Sequence, residues 1–301
     1  MSVGKLETPE PPVNVRERVC AVVVTRDRRA LLRTCLERLA AQERATDAVL
    51  VIDNQSSDGT ADMVREEFPD VELVRLEENV GGAGGFAEGV RRATAAGHDW
   101  IWLMDDDTFV APGTLAALLD GAARAPRRPQ VLAGPVRWRD GRLHPMNEPW
   151  FAWRRRREVA AAAAAGLLPL RHTTFVSALV HRDAVAAHGL PLAHYFIWTD
   201  DFEYTGRILR DGHGYLVPEA EVEHATAKPH NPVSAAGDRF FWFVRNSLLL
   251  LRGKALTTPE RLRYARMMAG MVQEYLGARP EPQRLRIVAR GAWRGLRDPV
   301  R

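Results

Sequence analysis

The chain has 301 residues, 46% of them hydrophobic, with 42 Lys and Arg against 38 Asp and Glu and a formal net charge of +4. That supplies a sizeable core and excludes a disordered chain, and the lack of any run of about 18 apolar residues excludes a membrane-spanning helix. Its two cysteines, Cys20 and Cys35, have no paired spacing, which excludes a disulfide framework or zinc cluster and fits a reducing cytoplasm.

Residues 1–18, MSVGKLETPEPPVNVRER, are polar, charged and proline-bearing, and read as a flexible arm rather than a signal peptide. VCAVVVT, from Val19 to Thr25, is rich in β-branched residues and stops at the charged RDRR turn, the pattern of a buried strand. Leu31, Leu32, Cys35, Leu36 and Leu39 then recur at helical spacing. A second strand, Ala48 to Ile52, delivers Asp53 and Asn54 to its carboxyl end, where a carboxylate and an amide suit hydrogen bonding to a planar heterocycle. Ser57 and Asp58 read as turn and capping residues before a helix from Thr60 to Glu67. A strand from Val71 to Leu76 leads to Asn79 and to Gly81, Gly82, Gly84 and Gly85 at the start of another helix. Glycines in that place let backbone amides approach a diphosphate or a sugar closely. The pattern is neither a P-loop nor a Rossmann fingerprint, because GK[ST] is absent and the loop follows the third strand.

Trp100 to Met104 is an unbroken apolar run of the kind that forms a central parallel strand, and Asp105, Asp106 and Asp107 follow it. The carboxyl edge of an open α/β sheet is where ligands bind. Three adjacent acids repel one another, and a divalent cation relieves the repulsion; Asp105 and Asp107, on alternate residues, suit Mg²⁺ or Mn²⁺ bridging to a diphosphate. The alternative is a solvated acidic loop in which Asp107 or Thr108 caps the next helix. Four arginines, Arg154 to Arg157, precede an Ala-rich helix, either to steer a diphosphate-bearing acceptor or as a solvated face. TTFVSALV predicts a strand from Thr174 to Val180.

In HYFIWTDDFEY, Asp200, Asp201 and Glu203 stand at the start of a helix expected over 202–211, where the macrodipole favours acids. Two acidic clusters separated by about a hundred residues suit a division of labour between a cation and a general base. Trp198 offers a stacking face for a sugar ring. A strand from Gly214 to Val217 leads on to His224.

VVVT, VIDNQSSDGT, NVGGAGGF and WLMDDD, in this order, resemble the nucleotide-binding half of the GT-A inverting glycosyltransferases of family 2, the rhamnosyl- and galactofuranosyltransferase-like group. NVGGAGGF and the triple acid most resemble the actinobacterial galactofuranosyltransferases, and the likeness covers residue 19 to about residue 250. It implies an α/β fold with a Rossmann-like mixed sheet flanked by helices. It further implies a nucleoside pocket lined by Thr25, Arg26 and Asp53, a metal faced by Asp105 and Asp107, and a donor sugar contacted by Asp106. Residues 26–28, Arg-Asp-Arg, depart from the aromatic-Asn-Arg continuation commoner after that threonine. In related enzymes the second acid of the WxDDxE-like motif is the base, which points to Asp201, with Asp200 and Glu203 orienting acceptor hydroxyls. The segment before it lies along the acceptor cleft, which makes Ser177 a candidate contact. The resemblance places His224 as third metal ligand, with His230 as competitor, and imidazole suits Mn²⁺ better than Mg²⁺. RFFWFVRN resembles a further signature of these enzymes and implies that Arg245 neutralises the leaving diphosphate.

These readings divide the chain into a catalytic domain over 19–230, with a donor half over 19–110 and an acceptor half over 111–230, and a basic helical extension over 231–301. From Arg245 onward there are 13 Lys or Arg against 4 acids. Leu285, Val288, Ala292 and Leu296 form one face of the last helix and Arg286, Arg290, Arg294 and Arg297 another, as in helices that lie on anionic lipid. Packing on the catalytic domain or a homo-oligomer contact is the alternative. The favoured function is a metal-dependent transferase using UDP-galactofuranose or dTDP-rhamnose, acting on a glycan or polyprenyl-diphosphate-linked acceptor at the cytoplasmic face of the membrane. A nucleotidyltransferase is disfavoured because TRDRRALL lacks the lysine of that loop. A nucleic-acid partner is disfavoured because acids beside a polyanion site repel it.

Overall fold

A computed structural model describes residues 16–227, 233, 237–278 and 281–300. Most of the expected N-terminal arm, and His230, lie outside the described residues.

Strands β1 (Val19–Thr25), β2 (Ala48–Asp53), β3 (Glu72–Arg75) and β4 (Trp100–Asp105) alternate with helices α1 (Arg29–Ala40), α2 (Thr60–Glu67) and α3 (Gly81–Ala95). Next come β5 (Thr108–Val110), α4 (Thr114–Arg124), β6 (Val131–Ala133), β7 (Val136–Arg137) and β8 (Trp150–Phe151). Then follow α5 (Arg156–Ala164), β9 (Leu168–His172), β10 (Ala178–His181), α6 (Arg182–His188), α7 (Asp200–Leu209), β11 (Gly214–Leu216) and β12 (Val222–His224). Three helices, α8 (Phe240–Arg252), α9 (Thr258–Ala278) and α10 (Pro282–Arg297), close the chain.

The large sheet runs β3-β2-β1-β4-β10-β6-β11-β9-β8. Its first four strands are parallel, while β10 is antiparallel to both neighbours. Alternate residues of β1 point to opposite faces. Val19, Ala21 and Val23 pack with Leu32 of α1, Met63 of α2 and Leu115 of α4, whereas Cys20, Val22 and Val24 pack with Phe86 of α3 and Ile208 of α7. Being covered on both sides is why β1 and β4 are unbroken apolar runs.

Two registers gather the polar residues. Thr25 pairs with Asp53 and Val24 with Asp105, so three strand ends meet at one edge. A second sheet, β5-β12-β7, pairs Thr108 with His224 and brings that histidine back to the acidic turn.

Several expectations are corrected. Residues 108–110 form a strand and α4 starts at Thr114 behind Gly113 with no side-chain cap, so neither Asp107 nor Thr108 caps a helix. The strand expected from Thr174 begins only at Ala178, because Ser177 adopts φ +65 in a turn. Arg155 donates to the carbonyls of Leu209, Arg210 and Gly212 at 2.7–3.1 Å, closing the end of α7, and none of Arg154 to Arg157 lines the main cleft.

Helix α10 packs on α8 through Gly291 and Gly295, where an added Cβ would lie 2.9 Å from the Phe241 carbonyl oxygen and 2.7 Å from that of Arg245. Val288 and Ala292 belong to this packed side, with Ile287. The exposed apolar residues of α10 are instead Leu285, Trp293 and Leu296, at 60%, 55% and 62% exposure.

Candidate active site

One cavity of about 400 Å³ opens at the carboxyl edge of β1 and β4, and its lining includes Asp105, Asp106, Asp107, Asp200, Asp201 and His224. Both acidic clusters, far apart in sequence, therefore face the same space. Thr25, Arg26, Asn54, Asn79, Gly81, Gly82 and Trp198 line it as well.

The acidic turn is held from two sides. The Thr25 hydroxyl donates to Asp106 Oδ2 at 2.8 Å, and Arg28 Nη1 lies 3.2 Å from Asp106 Oδ1 and 2.6 Å from Asp107 Oδ2. Arg28 went unrecognised in the sequence because the Arg-Asp-Arg triplet does not say which guanidinium turns inward. Burial pushes Asp105 up to about 6 and Asp106 up to about 7. Burial acts on Asp107 in the same direction, but a hydrogen bond and the charge of His224, together with Arg28, outweigh it and hold Asp107 below the usual carboxylate range.

Asp105, Asp107 and His224 each offer a ligand atom, all within 4.8 Å of one another, little more than twice the roughly 2.0–2.2 Å reach of a metal–ligand bond. Asn147 Nδ2 donates to Thr174 Oγ1 at 2.9 Å, which turns Asn147 Oδ1 toward His224 Nδ1 at 2.8 Å. With Nδ1 as donor, Nε2 presents a lone pair 3.1 Å from Asp107 Oδ1. Two lone pairs at that distance need a cation beside them. Burial opposes protonation of His224, but the Asp107 hydrogen bond and charge raise it above its ordinary value. The donor set fits a divalent metal, with an oriented imidazole as metal-ligating histidines require. Asn147 was not legible in the sequence, since only the fold brings it to β12.

The second acidic cluster opens α7, directly behind a strained loop. Phe196 has φ 64 and ψ −60 with the Ile197 N–H bonded to the Tyr195 carbonyl at 2.7 Å, a γ-turn of the rare positive-φ form. Trp198 and Thr199 also have positive φ, 65 and 64. Such residues cost about 1–3 kcal/mol each. Asn246 of α8 offsets part of this, its Nδ2 lying 2.7, 2.8 and 3.0 Å from the carbonyl oxygens of Tyr195, Ile197 and Trp198, at about 1 kcal/mol per hydrogen bond. Gly81 (φ +75) abuts the same loop: a Cβ there would fall 2.1 Å from the Phe196 carbonyl oxygen, so only glycine fits. Asn54 Oδ1 and Asn79 Oδ1 accept from the Val80 and Gly81 amides at 2.9 and 3.0 Å, which fixes the glycine loop. Asp201, partly exposed, accepts from the Phe202 amide through Oδ1 at 2.7 Å, and burial with the nearby Asp105 charge raises it to about 6. Burial and the Asp201 charge push Asp200 well above the usual range.

Five expected site residues stand elsewhere. Glu203 is buried against Arg207 at 2.8 Å, and that arginine reaches the carbonyls of His188 and Leu190, so the pair joins α7 to the loop after α6. Ser177 is fully buried and accepts from Trp102 Nε1 at 3.0 Å. Gly85 packs α3 on β1, where a Cβ would meet Val24 at 2.6 Å. Arg245 turns from the main cleft to Asp298 at 2.7 Å and the His194 carbonyl at 2.9 Å. Asp53 is fully buried outside the cavity lining and accepts from the Ser56 amide at 2.8 Å. Phe196, Trp242 and Arg239, which line the cleft, were not singled out beforehand.

The family model described as glycosyl transferase family 2 matches residues 20–189, more than half of the chain. The chain belongs to that family. It is an enzyme of the sugar-transferring class. Galactofuranosyltransferase GlfT1 of Mycolicibacterium smegmatis is 34% identical over 212 residues, covering 65% of this chain and 67% of the relative. N-acetylglucosaminyl-diphospho-decaprenol L-rhamnosyltransferase of Mycobacterium tuberculosis is 29% identical over 232 residues, 64% of this chain and 72% of the relative. Among solved structures, S. aureus TarS 1-349 in complex with UDP-GlcNAc superposes with a TM-score of 0.63 at 12% identity, covering 91% of this chain and 79% of that one. The mannosyltransferase PcManGT of Pyrobaculum calidifontis, in complex with GDP-Man and Mn²⁺, gives 0.55 at 18% identity, covering 95% and 83%. These two likenesses show the fold, a GT-A mixed sheet with flanking helices. Among the described residues no helix is long and apolar enough to cross a membrane.

Proposed function

We propose that this chain is an inverting, metal-dependent glycosyltransferase that moves galactofuranose from UDP-galactofuranose to a hydroxyl of a glycan or polyprenyl-diphosphate-linked acceptor. The observation that carries it is the shared cavity, with a metal-suited acid–histidine set at the ends of β4 and β12 and a further carboxylate, Asp201, in the first turn of α7. Asp105, Asp107 and His224 would hold a divalent cation, which would supply positive charge against the donor diphosphate. Arg26 and Arg239, which also line the cleft, add positive charge to it. Thr25 and Arg28 hold Asp106 where it meets the donor sugar, and Asn54 and Asn79 set the glycine loop so that Gly82, with open space at its Cα, admits the donor closely. Asp201 takes the proton of the attacking hydroxyl, held in aim by the Phe202 amide, and Asp200, pushed up by burial and the Asp201 charge, lies beside it.

Greater identity to the galactofuranosyltransferase than to the rhamnosyltransferase supports the donor choice; dTDP-rhamnose is the second reading. A lipid-linked acceptor is supported by the name of the rhamnosyltransferase relative. The exposed Leu285, Trp293 and Leu296 of α10, with Arg297 stacked 3.6 Å over Trp293 and Arg286 alongside, suit contact with an anionic bilayer at the cytoplasmic face.

The test is a panel of nucleotide sugars with Mn²⁺, scored by thermal shift and by donor hydrolysis; UDP-galactofuranose is expected to give the largest response, and a response to no nucleotide sugar would sink the proposal. Asn147→Leu is expected to weaken Mn²⁺ binding by about 10–100-fold, the usual cost of losing the hydrogen-bond partner of a metal-bound histidine. Electron paramagnetic resonance titration in the presence of UDP measures it, and unchanged affinity removes Asn147 from the role.

A further inference from the structure

A second cavity, of about 230 Å³, lies between α10, the start of α8 and the loop after α6, and is lined by His194, Phe241, Trp242, Arg245, Arg290 and Arg294. It holds no catalytic acid, and Trp242 is the wall it shares with the main cleft. Its charge is unbalanced. Arg245 and Arg294 share one carboxylate, Asp298, at 2.7 and 2.9 Å. Arg290 has no ion-pair partner among the described residues; its guanidinium lies 4.8 Å from the centroid of Phe241. Three guanidiniums against one carboxylate leave a surplus of two positive charges, the complement of a diphosphate diester, which carries two negative ones. Guanidinium forks suit phosphate oxygens. His194 adds a ring nitrogen, Nε2, that is buried without a hydrogen-bond partner among the described residues. The volume is that of several waters at about 30 Å³ each, room for a diphosphate but not for a nucleoside as well.

We propose that this cavity binds the diphosphate of the lipid-linked acceptor, holding it by Arg290, Arg294 and Arg245 while the attached sugar passes Trp242 into the main cleft. The inference rests on the reading of the acceptor as lipid-linked. It accounts for the basic last helix having arginines on the side toward α8 as well as on the exposed side: Arg290 and Arg294 sit between the outer face of α10 and the wall of the active site. An acceptor drawn from a bilayer touching Leu285 and Trp293 meets these two arginines before it meets Asp201.

The test is calorimetric binding of geranyl diphosphate and of inorganic pyrophosphate to the full chain, with UDP and Mn²⁺ saturating the main cleft. Wild-type protein is expected to bind geranyl diphosphate, and the Arg290→Gln, Arg294→Gln double variant to bind it at least tenfold more weakly. Arg290→Gln alone breaks no ion pair and is expected to lose several-fold in affinity with an unchanged melting temperature, which separates lost contact from lost fold. Equal binding by wild type and both variants overturns the site. Pyrophosphate bound as tightly as geranyl diphosphate overturns the lipid-linked source in favour of a free diphosphate. Because binding is read without turnover, failure here and failure of the nucleotide-sugar panel are distinguishable.

Discussion

Asp201→Asn is expected to lower sugar transfer by about 10²–10⁴-fold, the range a positioned general base contributes. Asparagine keeps the shape and the hydrogen bond from the Phe202 amide but cannot take a proton. Binding of UDP and Mn²⁺ is expected to stay within about twofold of wild type, because the residues proposed to hold them are on other elements. Burial, with the charge of Asp105 nearby, raises Asp201 to about 6, so the active, ionised form is lost as pH falls through that value. The wild-type rate should therefore climb with pH through about 6 and flatten above it, a limb that the variant lacks. Steady-state transfer across pH 5–8, paired with calorimetric titration of UDP, measures both. An Asn variant turning over near the wild-type rate removes Asp201 from this role.

Asp107→Asn is expected to abolish metal-dependent donor binding, with Mn²⁺ affinity falling by more than the roughly 10–100-fold that loss of an outer hydrogen-bond partner costs. Asp107 is 4% exposed and touches both Arg28 and His224. Neutralising it removes a metal ligand and leaves the Arg28 guanidinium less compensated beside the ion. Wild-type protein treated with a chelator should behave the same way, whereas the variant should bind UDP equally with and without Mn²⁺. Donor binding that still strengthens on adding Mn²⁺ to the variant would transfer the ligand role to other groups.

Much of this site is legible along the chain because its parts are strand ends. A buried parallel strand is an apolar run, and the polar residue that ends it lies at the ligand-binding edge, so Thr25, Asn54 and Asp105 to Asp107 announce themselves by position. The rule slips by one residue: Asp53 ends its strand in register with Thr25 yet is fully buried, and it is the next residue, Asn54, that lines the cavity. Glu203 and Arg245 misled for a physical reason. A charged residue near a motif serves equally well as one half of a structural ion pair, and the partners, Arg207 one helical turn on and Asp298 fifty-three positions away, show which use was made.

The amino-acid pattern alone determined the alternation of strands and helices, the carboxyl edge as the place of chemistry, and two acidic centres suited to a cation and a base, because periodicity and strand-end position are local properties. Only the tertiary structure decided that both centres open on one cavity, that Asn147 aims His224 and Asn246 holds the strained loop before Asp201, and that α10 turns Arg290 and Arg294 toward a second cavity. Those facts depend on contacts between segments far apart in the chain, and no local pattern of residues encodes which distant side chain will arrive.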